Sequence, residues 1–265
     1  MKIDGHIHSP YCPHGSKDTF ISYIEKAIQH AFTKISFTEH APLPKSFIDP
    51  TPDKDSGMDP KLLPLYLQEL RTLKEQYKEQ IDIRIGLEVD YIVGYEQETM
   101  DFLNEFGPLL DDAILSVHFL QYENEYCCID FSVEEFLHFS EKLGSVQAVY
   151  DLYYKTVMQS ITANLGPFKP TRIGHPTLVH KFQLAHGEKI DDQQQIKDVL
   201  LALKAANYEL DFNSAGLSKK YCLESYPPVQ YLHFVKSIGL RYTFGSDAHT
   251  AADLHQHYDQ LMQSQ

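Results

Sequence analysis

The sequence predicts an α/β fold built on a parallel sheet that closes toward a TIM-like barrel. Two observations predict it. Short β-rich segments alternate with longer segments of helical spacing along the 265 residues, the pattern of repeated βα units. Metal-capable side chains also recur at the carboxyl end of nearly every predicted strand, the rim where parallel barrels carry their chemistry. Seven strands lie near the eight of a TIM barrel. An open doubly wound sheet is the alternative, but no Gly-x-Gly-x-x-Gly follows any strand.

The predicted strands are Lys2–His8, Lys34–His40, Ile83–Asp90, Asp112–His118, Thr171–His175, Tyr208–Asn213 and Leu240–Ser246. Helical spacing of apolar residues covers Phe20–Phe32, Lys61–Tyr77, Glu96–Phe106, Ser145–Leu165, Ile196–Ala206 and Val229–Ile238. Two long loops remain. Ala41–Asp59 contains four prolines, and Phe119–Ser132 contains Cys127–Cys128. Long irregular loops in a compact domain are lids, binding loops or plain surface excursions. No Gly-, Ser- or Pro-rich linker divides the chain, so one domain over residues 1–265 is expected.

Composition excludes several classes. The formal net charge of −14, with no Lys/Arg run, argues against nucleic acid as a partner. No apolar run approaches the ~20 residues of a membrane span. The opening MKIDGHIHSPYC lacks an apolar leader core, so a cytoplasmic location is the expectation. The four cysteines, Cys12, Cys127, Cys128 and Cys222, show no CxxC spacing and read as free thiols.

Fourteen histidines are the unusual feature, and their placement decides the reading. Strand one ends in His6 and His8, strand two in Glu39-His40, and strand three near Glu88. Strands four, five and six end in His118, His175 and Asn213, and strand seven stops just before Asp247 and His249. Residues i and i+2 of a strand share a face, so His6 and His8 can grip one ion, as can Asp247 and His249 if the chain stays extended. Asp4 shares that face and is expected deeper, as a partner of the ligands. Position alone leaves His14 undecided. His30, His138, His180, His186, His233, His255 and His257 fall in helical or loop patterns and are read as structural.

Imidazole and carboxylate donors suit Zn, Fe and Mn. Eight or nine ligands are too many for one ion, so two or three divalent ions are expected, with Glu88 a natural bridge. Such ions polarise phosphoryl oxygens and lower the pKa of bound water toward ~7, which makes a small phosphate ester a sensible substrate. Amide or ring-amidine hydrolysis uses similar ligands and stays open at this point. There is no GxSxG elbow, Walker A loop or HExxH helix to compete.

The segments HIHS, TEHAP, GLEVDYI, SVHFL, IGHPTLV, LDFNSAGL and FGSDAH, in this order over nearly the whole chain, resemble the polymerase and histidinol phosphatase (PHP) family. CPHGSKD, GLEVDYI and NSAGLSKKYCLESYP resemble its stand-alone histidinol-phosphate phosphatases. The resemblance implies a distorted (β/α)7 barrel with a trinuclear metal centre. It implies His6 and His8 on one ion with Asp247, His14 and His40 on a second with His249 nearby, and His118 and His175 on a third, Glu88 bridging. The implied reaction is hydrolysis of L-histidinol phosphate by a metal-bridging hydroxide. Glu88, Asp247 and His249 are then the catalytic candidates, with His249 or a water protonating the leaving alkoxide. Arg172, Lys181 and Lys219 are candidates for the phosphate, Asn213 for another substrate contact, and Tyr122, Glu125 or Glu224 for the ammonium and imidazole. A PHP phosphoesterase of phosphotyrosine protein or nucleotide, or a non-catalytic PHP module, is the alternative.

Overall fold

The structure, a computed structural model, describes residues 1–262. Its parallel strands are β1 (Ile3–Ile7), β2 (Lys34–His40), β3 (Asp82–Asp90), β4 (Asp112–Ser116), β7 (Arg172–Ile173), β8 (Glu209–Asn213) and β9 (Arg241–Gly245). Between β4 and β7 the chain forms an antiparallel hairpin of β5 (Phe119–Tyr122) and β6 (Glu125–Cys128). The seven parallel strands are hydrogen-bonded in the order β1-β2-β3-β4-β7-β8-β9. All ladders in this sheet are parallel, as βα repetition demands.

The sheet closes only at its carboxyl end. Beyond β9 the chain swings across to β1, where Asp247 N–H donates to the His6 carbonyl (2.8 Å) and His8 N–H to the Ala248 carbonyl (3.0 Å). A single parallel bridge, Ile7 to Ala248, marks the seam. The result is a distorted seven-stranded barrel, nearly closed, with its tight seam at the rim that carries the histidines.

The helices are α1 (Phe20–Gln29), α2 (Leu63–Tyr77), α3 (Glu96–Phe106), α4 (Val133–Leu143), α5 (Val146–Thr162), α6 (Gln183–His186), α7 (Gln193–Ala205), α8 (Leu232–Ser237) and α9 (Tyr258–Met262). α1 begins where the Thr19 side chain accepts the Ser22 N–H, and its buried face of Phe20, Tyr23, Ile24 and Ala27 covers the sheet. Phe20 meets Phe37 of β2 edge-on, with ring centroids 4.9 Å apart. Such helix-on-strand contacts build one apolar layer outside the barrel, running from Ile35 and Phe37 through Ile85 and Leu115 to Leu210 and Phe244.

β2 and α3 span the predicted residues; other boundaries shift. The fifth predicted strand shrinks to Arg172–Ile173. A side chain at Gly174 would sit 2.0 Å from the Ser116 Oγ, and the backbone then turns to φ +22° at His175. Val229–Ile238 splits into a 3₁₀ turn over Val229–Tyr231 and α8. α4 lies outside the predicted helices, although Ser132 caps it by accepting the Glu135 N–H.

Inside the barrel, below the rim, lies a polar plug. Arg172 donates to the Asp112 carboxylate (2.8 Å) and the Gly5 carbonyl (2.8 Å), and Ser36 donates to the same carboxylate (2.6 Å). A Cβ on Gly5 would stand 3.1 Å from the Arg172 guanidinium, so the glycine makes room for it. Arg172 opens β7 and Asp112 opens β4, which sets this plug in the amino-terminal half of the barrel, away from the rim. The expected role of Arg172 in phosphate binding is therefore corrected: three residues before His175 is nearly a strand's length below it. Arg172→Ala is expected to cost about 3 kcal/mol by leaving Asp112 without its cationic partner. KM for phosphate esters should stay as in the wild type; thermal unfolding alongside steady-state kinetics reads both.

Candidate metal centre and active site

Glu88, near the end of β3, is the hub. Its side chain is 1% exposed. One oxygen, Oε1, accepts from Ser116 Oγ (2.6 Å) and lies 2.8 Å from His175 Nε2. The other, Oε2, faces His6 Nε2 (3.4 Å), His8 Nε2 (3.6 Å) and His40 Nδ1 (3.2 Å). His118 Nε2 stands 3.8 Å from Oε1. Five strands thus send an imidazole or carboxylate to one point.

Three carboxylates hold the rings from behind. Asp211 accepts from His6 Nδ1 (2.9 Å), Glu39 from His8 Nδ1 (3.2 Å) and Asp90 from His118 Nδ1 (2.7 Å). Carboxylates only accept, so each Nδ1 carries a proton and each Nε2 is the atom turned to the centre, a lone-pair donor once its own proton is displaced. This carboxylate–imidazole pairing orients metal ligands and raises their basicity. Sequence reading passes over Asp90 and Asp211, and it places Glu39 at the end of strand two without assigning it to a ring. The signal for the two missed acids was the strand period: Asp90 lies two residues past Glu88, and Asp211 two before Asn213.

Asp247 and His249 complete the rim. Asp247 Oδ1 is 3.0 Å from His8 Nε2 and 3.6 Å from His6 Nε2. Its backbone sits at φ +52°, a strained position for a non-glycine residue, held by the seam hydrogen bond to His6. His249 stacks on His8 with centroids 3.9 Å apart. Its Nδ1 donates to the Asp247 carbonyl (3.0 Å), which leaves Nε2 as an acceptor. His14 lies beside His40 (5.0 Å) and His249 (5.2 Å), with Nδ1 donating to the Asp55 carbonyl (3.0 Å).

Donor atoms cluster within 4.8 Å of one another in three groups: His6, His8 and Asp247; Glu88, His118 and His175; and His8, Cys12, His40 and His249. Cys12 was read as a plain thiol, and its place in the third group is a finding of the fold.

These residues fit metal ions on their own geometry. His6 Nε2, His40 Nδ1, His175 Nδ1 and Glu88 Oε2 are buried without a hydrogen-bond partner among the described residues, an arrangement that costs free energy unless a cation satisfies them. The electrostatics agree. Burial would lower the His6 imidazole, but Asp247, Asp211 and Glu88 outweigh it and hold it well above its ordinary value. Against the same burial, Asp247 and Glu39 hold His8 up to about 9, and Asp90 and Glu88 hold His118 up to about 10. His40 and His249 go the other way, lowered by burial and by the His8 charge. Carboxylates this concentrated demand positive charge, from protons or from cations.

The sign of the pH dependence follows. Without metal, the raised imidazoles bind protons at neutral pH and contribute stability that is lost as pH rises through about 9 to 10. A metal ion must displace those protons. Affinity is therefore expected to rise with pH from 6 to 9, with proton release on binding, measured by titration calorimetry in buffers of different ionisation enthalpy.

A cavity of about 390 Å³ opens over the centre. The two long loops wall it: Thr51, Asp55 and Ser56 come from the first, and Phe119, Cys128, Asp130 and Phe131 from the second. Lys181 and Lys219 also line it, and Lys181 pairs with Asp130 (2.8 Å). Other expected contacts fall elsewhere. Asn213 is fully buried and donates to Asp247 Oδ2 (3.2 Å) and Asp211 (3.1 Å), so it orients a candidate ligand and does not reach substrate. Glu125 pairs with Lys142, and Tyr122, exposed at the end of β5, is not among the residues that line the cavity. Glu224 is taken by His180. Asp4 serves the seam instead of the rings, accepting from the backbone of His6 (3.3 Å) and Ser246 (3.0 Å) and from His255 (2.8 Å).

Fold and rim together define a class: parallel α/β barrels with a histidine–carboxylate cage, able to hold metal ions, at the carboxyl ends of their strands. The chain belongs to the PHP domain family, whose profile matches residues 4–215. It is 45% identical over 265 residues to the histidinol-phosphatase of Bacillus subtilis, covering 99% of each chain. The crystal structure of a candidate histidinol phosphatase from Listeria monocytogenes superposes with a TM-score of 0.91 at 38% identity, over 98% of this chain and 99% of that one. The Lactococcus lactis histidinol phosphate phosphatase, solved with zinc, L-histidinol and phosphate, shares the fold, with a TM-score of 0.71 at 21% identity over 99% and 93% of the two chains. No described helix is long and apolar enough to cross a membrane.

Proposed function

We propose that this chain hydrolyses L-histidinol phosphate to L-histidinol and phosphate at the barrel rim. One observation carries the reading. Three groups of donor atoms able to hold metal ions gather around Glu88 in a chain that is 45% identical to the B. subtilis histidinol-phosphatase over 99% of each.

His6, His8 and Asp247 would hold one ion, Glu88, His118 and His175 another, and His40 with His249, joined by His14 or Cys12, a third. Zinc, the ion in the L. lactis structure, suits these nitrogen and oxygen donors, as do iron and manganese. Bound there, such ions supply Lewis acidity toward the phosphoryl oxygens and lower the pKa of water. The chain's own residues do the rest. Lys181 and Lys219 face the cavity and neutralise phosphate oxygens that the cage leaves free. Asn213 and the His6 carbonyl fix Asp247 from two sides. Net reaction adds water across the P–O bond, the oxygen going to phosphorus and a proton to the leaving alkoxide. That proton comes from solvent, because the His249 Nδ1 proton is committed to the Asp247 carbonyl.

A walled cavity of about 390 Å³ fits a small ester better than a protein or nucleic-acid chain. Phosphate release from L-histidinol phosphate, set against phosphotyrosine peptide, nucleotides and simple alkyl phosphates, tests the assignment. L-histidinol phosphate should give the highest kcat/KM of the panel. A higher value for any other member would reassign the substrate.

A further inference from the structure

We infer that the Asp130–Phe131 step, which follows the β5–β6 hairpin, recognises the histidinol end of the substrate, Phe131 taking the imidazole on its ring and Asp130 the ammonium. This inference rests on the proposed phosphatase reading and adds the groups that discriminate among phosphate esters.

Phe131 is out of place by the logic of the fold. It is 41% exposed and belongs to neither hydrophobic core. No ring contact among the described residues engages it, whereas Phe119, the other phenylalanine lining the cavity, is fully buried and packs against Phe47. A large aromatic face turned into a cavity lined by candidate metal ligands has apolar area left to bury, and a planar heteroaromatic ring fits it by offset stacking.

Asp130 supplies the charge. Its side chain is 20% exposed, and it lies in the same wall. Lys181 Nζ holds Oδ2 at 2.8 Å, while among the described residues Oδ1 accepts only from the Cys128 thiol at 3.3 Å, a weak donor. Oδ1 therefore keeps accepting capacity for an ammonium. The pairing also sets the order of groups along the wall. In the substrate the ammonium lies between phosphate and imidazole, and here Asp130, ion-paired to Lys181, directly precedes Phe131 in the chain, all three lining one cavity. Burial works against ionising Asp130, but Lys181 and His118 hold its carboxyl below the usual range, so it is anionic at neutral pH.

The test is a ratio, read on the metal-loaded enzyme. kcat/KM is measured for L-histidinol phosphate, for O-phosphoethanolamine, which lacks the imidazole, and for the deaminated imidazolylpropyl phosphate. Phe131→Ala should cut the preference for L-histidinol phosphate over O-phosphoethanolamine at least tenfold, mainly through KM, and Phe131→Tyr should restore it. Asp130→Asn should cut the preference for L-histidinol phosphate over its deaminated analogue by a similar factor. Phe131 lies outside the cores, so Phe131→Ala should unfold at the wild-type temperature. Ratios within twofold of wild type in both variants would overturn the inference and leave the phosphatase reading standing. A wild-type enzyme with no preference for L-histidinol phosphate would overturn that reading, and the inference with it.

Discussion

Replacing Glu88 with Gln is expected to lower kcat by a thousandfold or more, on the order of 4 kcal/mol of transition-state stabilisation. The change is nearly isosteric, and the hub should keep its shape. Ser116 Oγ can still donate to the remaining oxygen where it now meets Oε1. What disappears is the negative charge that faces His6, His8 and His40 through Oε2 and His118 and His175 through Oε1. With that charge gone, the groups that share it lose their common ligand. Metal content should fall together with kcat, while the circular dichroism spectrum and the cooperative melt persist. Metal analysis and steady-state kinetics on the same preparation read both quantities. A variant that kept its metal and its turnover would show that Glu88 is only a packed carboxylate.

Removing metal with a strong chelator should abolish turnover and lower the melting temperature. The site explains the coupling: the buried His6 Nε2, His40 Nδ1, His175 Nδ1 and Glu88 Oε2, without partners among the described residues, are a cost that bound ions remove. Ligand present at a thousandfold over its dissociation constant contributes ~4 kcal/mol, and at roughly 3 °C per kcal/mol a chain of this size should lose about 10 °C. Adding back zinc, iron or manganese should restore both properties in parallel. Recovery of the melting temperature without turnover would mark an ion that fills the cage but does not support the chemistry.

Much of this arrangement was legible in the sequence because strands have a period of two and a direction. His6 and His8 had to share a face, and each βα unit had to bring its last residues to one rim. That is why Glu88, His118, His175, Asp247 and His249, far apart in the chain, surround one centre. The seven-stranded sheet was legible for the same reason. What the sequence hid depends on depth and on turns. Arg172 looked close to His175 along the chain, yet it sits at the opposite end of the barrel with Asp112. Asn213 ends its strand as expected, but the seam brings Asp247 over it, and it becomes a holder of that carboxylate. Tyr122 and Glu125 pair at the tip of the β5–β6 hairpin, off the cavity, and the residues that line it are Asp130 and Phe131, just past the hairpin. Cys12 follows strand one in a loop without strand periodicity, so nothing in its spacing placed it beside His40 and His249.

The most direct measurement is anomalous scattering from crystals of the metal-loaded protein. Two or three peaks should lie inside the cage, one touching Glu88, His118 and His175 and another touching His6, His8 and Asp247. Metal bound only at other faces of the molecule, with these side chains clear of any peak, would contradict the account.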